Sequence, residues 1–189
     1  MSLKHGILGL LSYNSMTGYD LMKYFNESLK FFWNAQTSQI YRELNNLEKK
    51  GFVKSDIVYQ ENKPNKRVYT ITKNGKAEFL KWLNEYSLKE SVKVRNSFLM
   101  RVFFSANADP DKLIEALLEY KKYNVDFLKS LEVIHKKLDT FQEIIDSKNE
   151  KLFWELTLRN GIISAEGNIK WVEEAISKIK NLKGDDNSE

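Results

Sequence analysis

Apolar residues recur three and four apart through most of this chain, and the places where that rhythm breaks divide it into segments. Residues 3–11 predict a short apolar helix. Thr17-Gly18-Tyr19-Asp20 opens a second, running to about Leu29 with Leu21, Met22 and Phe25 inward, and Phe31-Phe32-Trp33 forms a bulky connector. A third helix starts at Thr37, whose hydroxyl can cap its first turn, and buries Ile40, Leu44 and Leu47. Gly51 stops it, because glycine enters the left-handed conformation at little cost. The period then shortens. Residues 53–59 and 67–71 are β-branched and aromatic and predict two strands, joined by a polar loop containing Pro64. Thr72 caps a fourth helix carrying Phe79, Leu80, Trp82 and Leu83.

Beyond Tyr86 the pattern lengthens. Residues 92–104 predict a helix, and Asp109-Pro110 marks a fresh start, an acceptor cap followed by proline in the first turn. From there to about residue 145 the apolar positions Leu113, Leu117, Tyr120, Phe127, Leu131, Ile134, Leu138, Phe141 and Ile145 form a heptad seam with one polar member, Asn124. A buried asparagine in such a seam usually fixes register or partner number. A second run, Leu158, Ile162, Ala165, Ile169, Val172, Ile176 and Ile179, predicts a helix over 150–182. From Gly184 the tail has nothing to bury and is expected to be disordered. The expected domains are therefore 1–86, 87–183 and a tail at 184–189.

The outer face of the third helix carries the first chemistry. On a 100° wheel, Ser38, Arg42, Asn45 and Lys49 lie opposite the Ile40 stripe, flanked by Gln39 and Asn46. All can hydrogen-bond to DNA, and none is acidic. Arginine presents a fork to guanine, and asparagine or glutamine pairs with adenine. Tyr41 lies to one side, where its ring can pack inward while its hydroxyl reaches a phosphate. A plain solvated face would look similar. The hairpin tips the balance, because Lys63, Lys66 and Arg67 gather at one tip beside a conformation-restricting proline. A helix with a polar outer face followed by a cationic hairpin is how a winged helix-turn-helix meets duplex DNA. The fold class expected is mainly α (α+β), an N-terminal winged helix-turn-helix followed by a C-terminal helical domain with long antiparallel helices.

Charge agrees with this division. The net charge of the 189 residues is +4, but thirteen Lys/Arg against seven Asp/Glu through Lys81 give +6, and seventeen against nineteen in the remainder give −2. A polyanion is drawn to the first part only.

The long seams admit two arrangements. The helices over 110–145 and 150–182 fold on each other as an antiparallel hairpin, or that hairpin also pairs with a second copy through Leu117, Asn124, Leu131, Leu138, Ile169 and Ile176. A lone winged helix makes few contacts, whereas two copies spaced by one DNA turn read a palindrome, so a homodimer is expected.

Other classes find little support. Without cysteine there is no disulfide or thiolate site, which fits a reducing cytoplasm. His5 and His135 stand apart from any nucleophile–base order or phosphate-cradling loop, so neither catalysis, a metal nor a cofactor is expected. No stretch approaches the ~20 apolar residues of a membrane span, so no membrane partner is expected either.

Ile7-Leu8-Gly9-Leu10-Leu11, Gly18-Tyr19-Asp20-Leu21, Phe32-Trp33, Gln39-Ile40-Tyr41-Arg42-Glu43-Leu44, Leu47-Glu48, Gly51 and Arg67-Val68-Tyr69 with Thr72 and Gly75 are dense and ordered over residues 3–83. This string resembles the PadR family of transcriptional regulators. The segment Val94-Arg95-Asn96-Ser97-Phe98-Leu99 and the helices after it look like the subgroup related to virulence-gene activators. The resemblance implies a homodimeric regulator, usually a repressor, that binds an inverted-repeat operator and is often released by a small molecule. One departure lies in the wing, where members often carry Gly-Arg-Pro and this chain has Asn62-Lys63-Pro64, a point charge without a guanidinium fork. An aromatic or planar effector would suit a cavity lined by Trp33, Phe98 and Trp154. The alternative is an architectural or protein-interaction module that keeps the scaffold without operator specificity.

Overall fold

The computed structural model describes residues 3–60, 65–85, 96–144 and 149–186. They fall into two compact units, Met1–Ser91 and Val92–Glu189. The architecture is mainly helical with one small antiparallel sheet.

In the first unit, α1 (Leu3–Tyr13) is followed by a two-residue strand β1 (Met16–Thr17), α2 (Gly18–Ser28), α3 (Thr37–Lys49), β2 (Val53–Val58), β3 (Lys66–Ile71) and α4 (Lys73–Asn84). The sheet order is β1-β3-β2, with Met16 opposite Tyr69 and Ser55 also opposite Tyr69 from the other side. β1 is too short to show a period of two, which is why no pattern announces it. Ile7, Leu8, Leu11, Leu21, Phe25, Ile40, Leu44, Leu47 and Val53 fill one core beneath the sheet and helices. The expected stripe of α3 is therefore the buried one.

Three local devices hold α3, β2 and α4 together. Gly51 takes φ 70° where α3 ends, a backbone that other residues adopt only with strain. Thr72 caps α4 by accepting from the Gly75 amide, and its hydroxyl donates to the Gly51 carbonyl at 2.6 Å. Gly75 lies so close to the backbone just before β2 that an added Cβ would sit 2.0 Å from the Phe52 carbonyl oxygen.

The start of α3 differs from expectation. Gln36, not Thr37, is the capping residue, and its backbone amide donates to Gln39 Oε1 at 2.9 Å. Thr37 is already inside the helix, and its hydroxyl reaches Met22 Sδ at 3.2 Å. A reciprocal Gln36/Gln39 arrangement satisfies more of the first turn than a lone hydroxyl does.

Inside α1, His5 is buried and stacked on Trp82 of α4, centroids 4.4 Å apart and planes 7° from parallel. Burial, then the Lys4 cation, push its pKa below the usual histidine value, with Glu78 pulling the other way. Glu78 itself is held below the carboxylate range chiefly by the Lys4 hydrogen bond.

The second unit contains α5 (Ser97–Phe103), a 3₁₀ turn at Ser105–Asn107, α6 (Pro110–Ile144) and α7 (Glu150–Asp186). Asn96 caps α5 by accepting from the Phe98 and Leu99 amides, and Asp109 accepts from the Asp111 amide before α6. The long helices pair with each other in antiparallel fashion. Leu117, Asn124, Leu131 and Leu138 of α6 and Leu158, Ala165 and Val172 of α7 recur every seven residues and are all buried within one chain. Asn168 donates to Asn124 Oδ1 at 3.0 Å, and Lys121 Nζ meets Glu173 at 2.6 Å.

This corrects the assignment of Leu117, Asn124, Leu131 and Leu138 to a surface between copies. Their side chains are consumed by the chain's own hairpin, and Ile169 and Ile176 are partly buried on the same helix pair. The reason is proximity: the helix beside the seam is tethered by a short connection, so it fills the seam first. The end of α7 also differs, since the helix continues through Gly184 to Asp186. No proline stops it, and one glycine in a helix costs only about 1 kcal/mol.

Candidate nucleic-acid interface

The helical period that buries Ile40, Leu44 and Leu47 turns the opposite side of α3 to solvent. Ser38, Gln39, Tyr41, Arg42, Asn45, Asn46 and Lys49 are all exposed, and they share one side of one helix. Their freedom differs. Gln39 is engaged at the helix start, and Asn46 Nδ2 leans toward Glu43 Oε2 at 3.5 Å. Ser38, Arg42, Asn45 and Lys49 make no side-chain hydrogen bond or ion pair among the described residues, and their donors face outward.

Tyr41 is placed by α2. Its ring covers Gly18, where an added Cβ would lie 2.6 Å from Cε1 and 3.1 Å from the hydroxyl. A methyl at this position would displace the Tyr41 ring from where it lies. Thr17 caps α2 by accepting from the Asp20 amide, and its hydroxyl donates to Asp20 Oδ2 at 2.6 Å.

Between α3 and the hairpin runs an open groove of about 570 Å³, lined by Thr17, Tyr19, Tyr41, Asn45, Lys66 and Arg67 among others. α3 and the hairpin therefore border one concave surface. Lys66 is exposed at the start of β3. Lys63 lies outside the described residues.

Arg67 is placed otherwise than expected. Its Nη2 donates to Glu48 Oε2 at 2.6 Å, its Nε donates to Ser55 Oγ at 2.8 Å, and its guanidinium lies 5.2 Å from the Tyr69 ring centre. The side chain is half exposed, but its fork is turned to α3 and β2. Hydrogen bonding from Ser55 first, and then from Arg67, keeps the Glu48 carboxyl below the usual carboxylate range. Burial raises the Tyr69 phenol. Thr17, Tyr19 and Asn65 carry no local signal that would place them at this groove. Only the fold brings the start of α2 and the foot of the hairpin to the groove, so no local spacing could have flagged them.

Similarity to known proteins covers both units. The profile of the transcriptional regulator PadR-like family matches residues 7–81, and that of the virulence activator alpha C-terminal domain matches residues 94–180. The chain carries a PadR-like transcriptional regulator domain followed by a virulence activator alpha C-terminal domain. It is 29% identical over 178 residues to the negative transcriptional regulator PadR of Bacillus subtilis, covering 94% of this chain and 97% of that protein. The crystal structure of B. subtilis PadR in complex with operator DNA superposes with a TM-score of 0.79 at 28% identity, over 95% of this chain and 99% of the other. The structure of the same protein with p-coumaric acid gives 0.71 at 26% identity, over 94% and 95%.

The aromatic residues proposed for an effector are distributed over both units of this PadR-like protein. Trp33 stands in the first, 37% exposed. Phe98 belongs to the second, where its ring stacks on Tyr120 at 4.7 Å and meets Trp171 edge-on at 6.5 Å. Trp154 is half-buried on α7. Phe98 thus sits in an aromatic cluster with Tyr120 and Trp171, two residues that the heptad pattern marked only as seam or not at all.

Proposed function

We propose that this PadR-like regulator binds a palindromic operator as a homodimer and represses the gene behind it. The observation that supports the reading is the acid-free outer face of α3, where Ser38, Arg42, Asn45 and Lys49 are unengaged among the described residues, bordering the same groove as Lys66. Ser38, Arg42 and Asn45 supply donors and acceptors for base edges, while Lys49 and Lys66 supply charge for phosphates. The match to a relative crystallised on its operator supports the same reading.

A second copy is supported by an apolar stripe left over after the hairpin closes. Leu152, Leu156 and Ile163 of α7 are each more than half exposed and lie on one side of the helix, about 150° from the buried Leu158–Ala165 line. Phe153 stands beside them. Such a patch on a soluble chain calls for a partner, and two-fold pairing is the commonest solution. The protein acts in the cytoplasm, without a cofactor and without catalysis of its own. A small aromatic acid or similar planar molecule releases it from DNA, a reading supported by the relative's complex with p-coumaric acid.

The test is selection of bound duplexes from a random library by the full chain. The expected product is an inverted repeat with half-sites about 10 base pairs apart, preferred over random DNA by roughly 10³-fold or more. Uniform binding without enrichment would favour the architectural alternative instead.

A further inference from the structure

Glu48, Ser55 and Arg67 close a ring of hydrogen bonds that joins α3 to both strands of the hairpin. Ser55 Oγ donates to Glu48 Oε1 at 2.5 Å and accepts from Arg67 Nε at 2.8 Å; Arg67 Nη2 returns to Glu48 Oε2 at 2.6 Å. The strand register makes this possible, because Arg67 faces Ile57, and Ser55 is two residues back on the same side of the sheet. A guanidinium held at two donors and laid over Tyr69 has neither position nor rotation left to choose. Glu48 sits in the last turn of α3, where a carboxylate opposes the helix dipole unless a cation answers it.

We infer that Arg67 serves DNA recognition as a positioning residue, setting the hairpin against α3 through Glu48 and Ser55, and does not itself neutralise a phosphate. The inference rests on the DNA-binding reading above and refines it. Lys66, adjacent in sequence and on the other side of the strand, carries the wing's phosphate contact.

The two possible roles of Arg67 give opposite signs when Glu48 loses its charge. If Glu48 merely sequesters a DNA-binding arginine, Glu48→Gln removes a negative charge near a polyanion and frees a cation. Operator binding then tightens and its salt dependence steepens. If the ring positions the wing, the same substitution weakens operator binding and leaves the salt slope alone.

The experiment titrates the full chain and its Glu48→Gln, Arg67→Gln, Arg67→Lys and Glu48→Gln/Arg67→Gln variants against the selected operator and against random duplex, at several salt concentrations. Each single variant is expected to lose about tenfold on the operator and at most about twofold on random DNA, with the double no worse than the poorer single. Arg67→Lys is expected not to restore binding, since an ammonium cannot bridge both partners in one plane. Lys66→Ala, run alongside, should lower the salt slope by about 0.9. Tighter binding by Glu48→Gln, a similar slope loss in Arg67→Gln, or equal losses on operator and random DNA would each overturn the inference. If the parent chain enriches no operator at all, the DNA-binding reading has failed on its own. The ring is then judged by amide exchange, where Glu48→Gln should speed exchange across β2 and β3, and unchanged protection rejects it.

Discussion

Asn168 donates its side-chain amide to Asn124 Oδ1 at 3.0 Å, while Asn124 Nδ2 donates to the Tyr120 carbonyl at 2.7 Å. Asn124 is only 3% exposed, so a polar pair crosses the buried interior of the helix interface. Its energetic meaning lies in what happens when one half is removed. Asn124→Leu removes the acceptor of the half-buried Asn168 amide and should cost about 1–3 kcal/mol. Replacing both by leucine should recover most of that loss, while allowing the helices to shift in steps of a heptad. Urea melts of the single and double variants check this; a single variant as stable as the parent would contradict it.

The two arms of DNA recognition should separate by salt and by sequence. Arg42→Ala is expected to cost about 1–3 kcal/mol on the operator and to relax preference at one base position. Lys66→Ala should weaken operator and random DNA alike. Quantitative binding on a panel of single-base operator variants distinguishes the two, and identical profiles would show the roles are misassigned.

Backbone contact between α4 and Phe52, the residue before β2, leaves no room at Gly75. Gly75→Ala drives a methyl to 2.0 Å from the Phe52 carbonyl oxygen, which only a backbone shift relieves. The expected loss is about 1–3 kcal/mol or more, read as a lower thermal midpoint of the first unit.

His5 makes the fold sensitive to mild acid. Its pKa is depressed in the folded chain, so the unfolded chain binds the proton more readily. The associated stability is complete above the ordinary value of 6.5 and falls as pH drops below it. Glu78 and Glu48, also depressed, lose their contributions only below 4.5. Melting temperature measured from pH 7.5 to 5 should therefore decline in the parent and decline less in His5→Phe. Parallel curves would assign the slope to other groups.

Surface and seam of the helical hairpin should respond differently to charge. Leu156→Glu is expected to give a monomer in ultracentrifugation with helicity intact. Leu131→Asp, fully buried within the chain, should lose helicity first. A parent that sediments as a monomer would remove the dimer from the reading.

Much of this could be read along the chain. The stripe Ile40, Leu44 and Leu47, the stop at Gly51 and the seven-residue rhythm of α6 and α7 are local regularities, and local regularities set which side of an element is buried. The outward face of α3 follows from the same periodicity. What stayed hidden depends on who arrives opposite. Periodicity marks Leu117 and Leu131 as buried but is silent on whether the burying helix is the chain's own or a neighbour's. Composition marks Arg67 as a cation near a turn but is silent on Glu48, nineteen residues earlier, which meets it only because α3 packs on the hairpin. Gly18 and Gly75 read as ordinary helix-start glycines until Tyr41 and Phe52 come to rest against them. The sequence by itself determined the elements, their buried faces and a cationic first half, because these obey short-range spacing. Tertiary structure alone decided partners and directions, because a side chain's free donor is whatever long-range packing leaves unmatched.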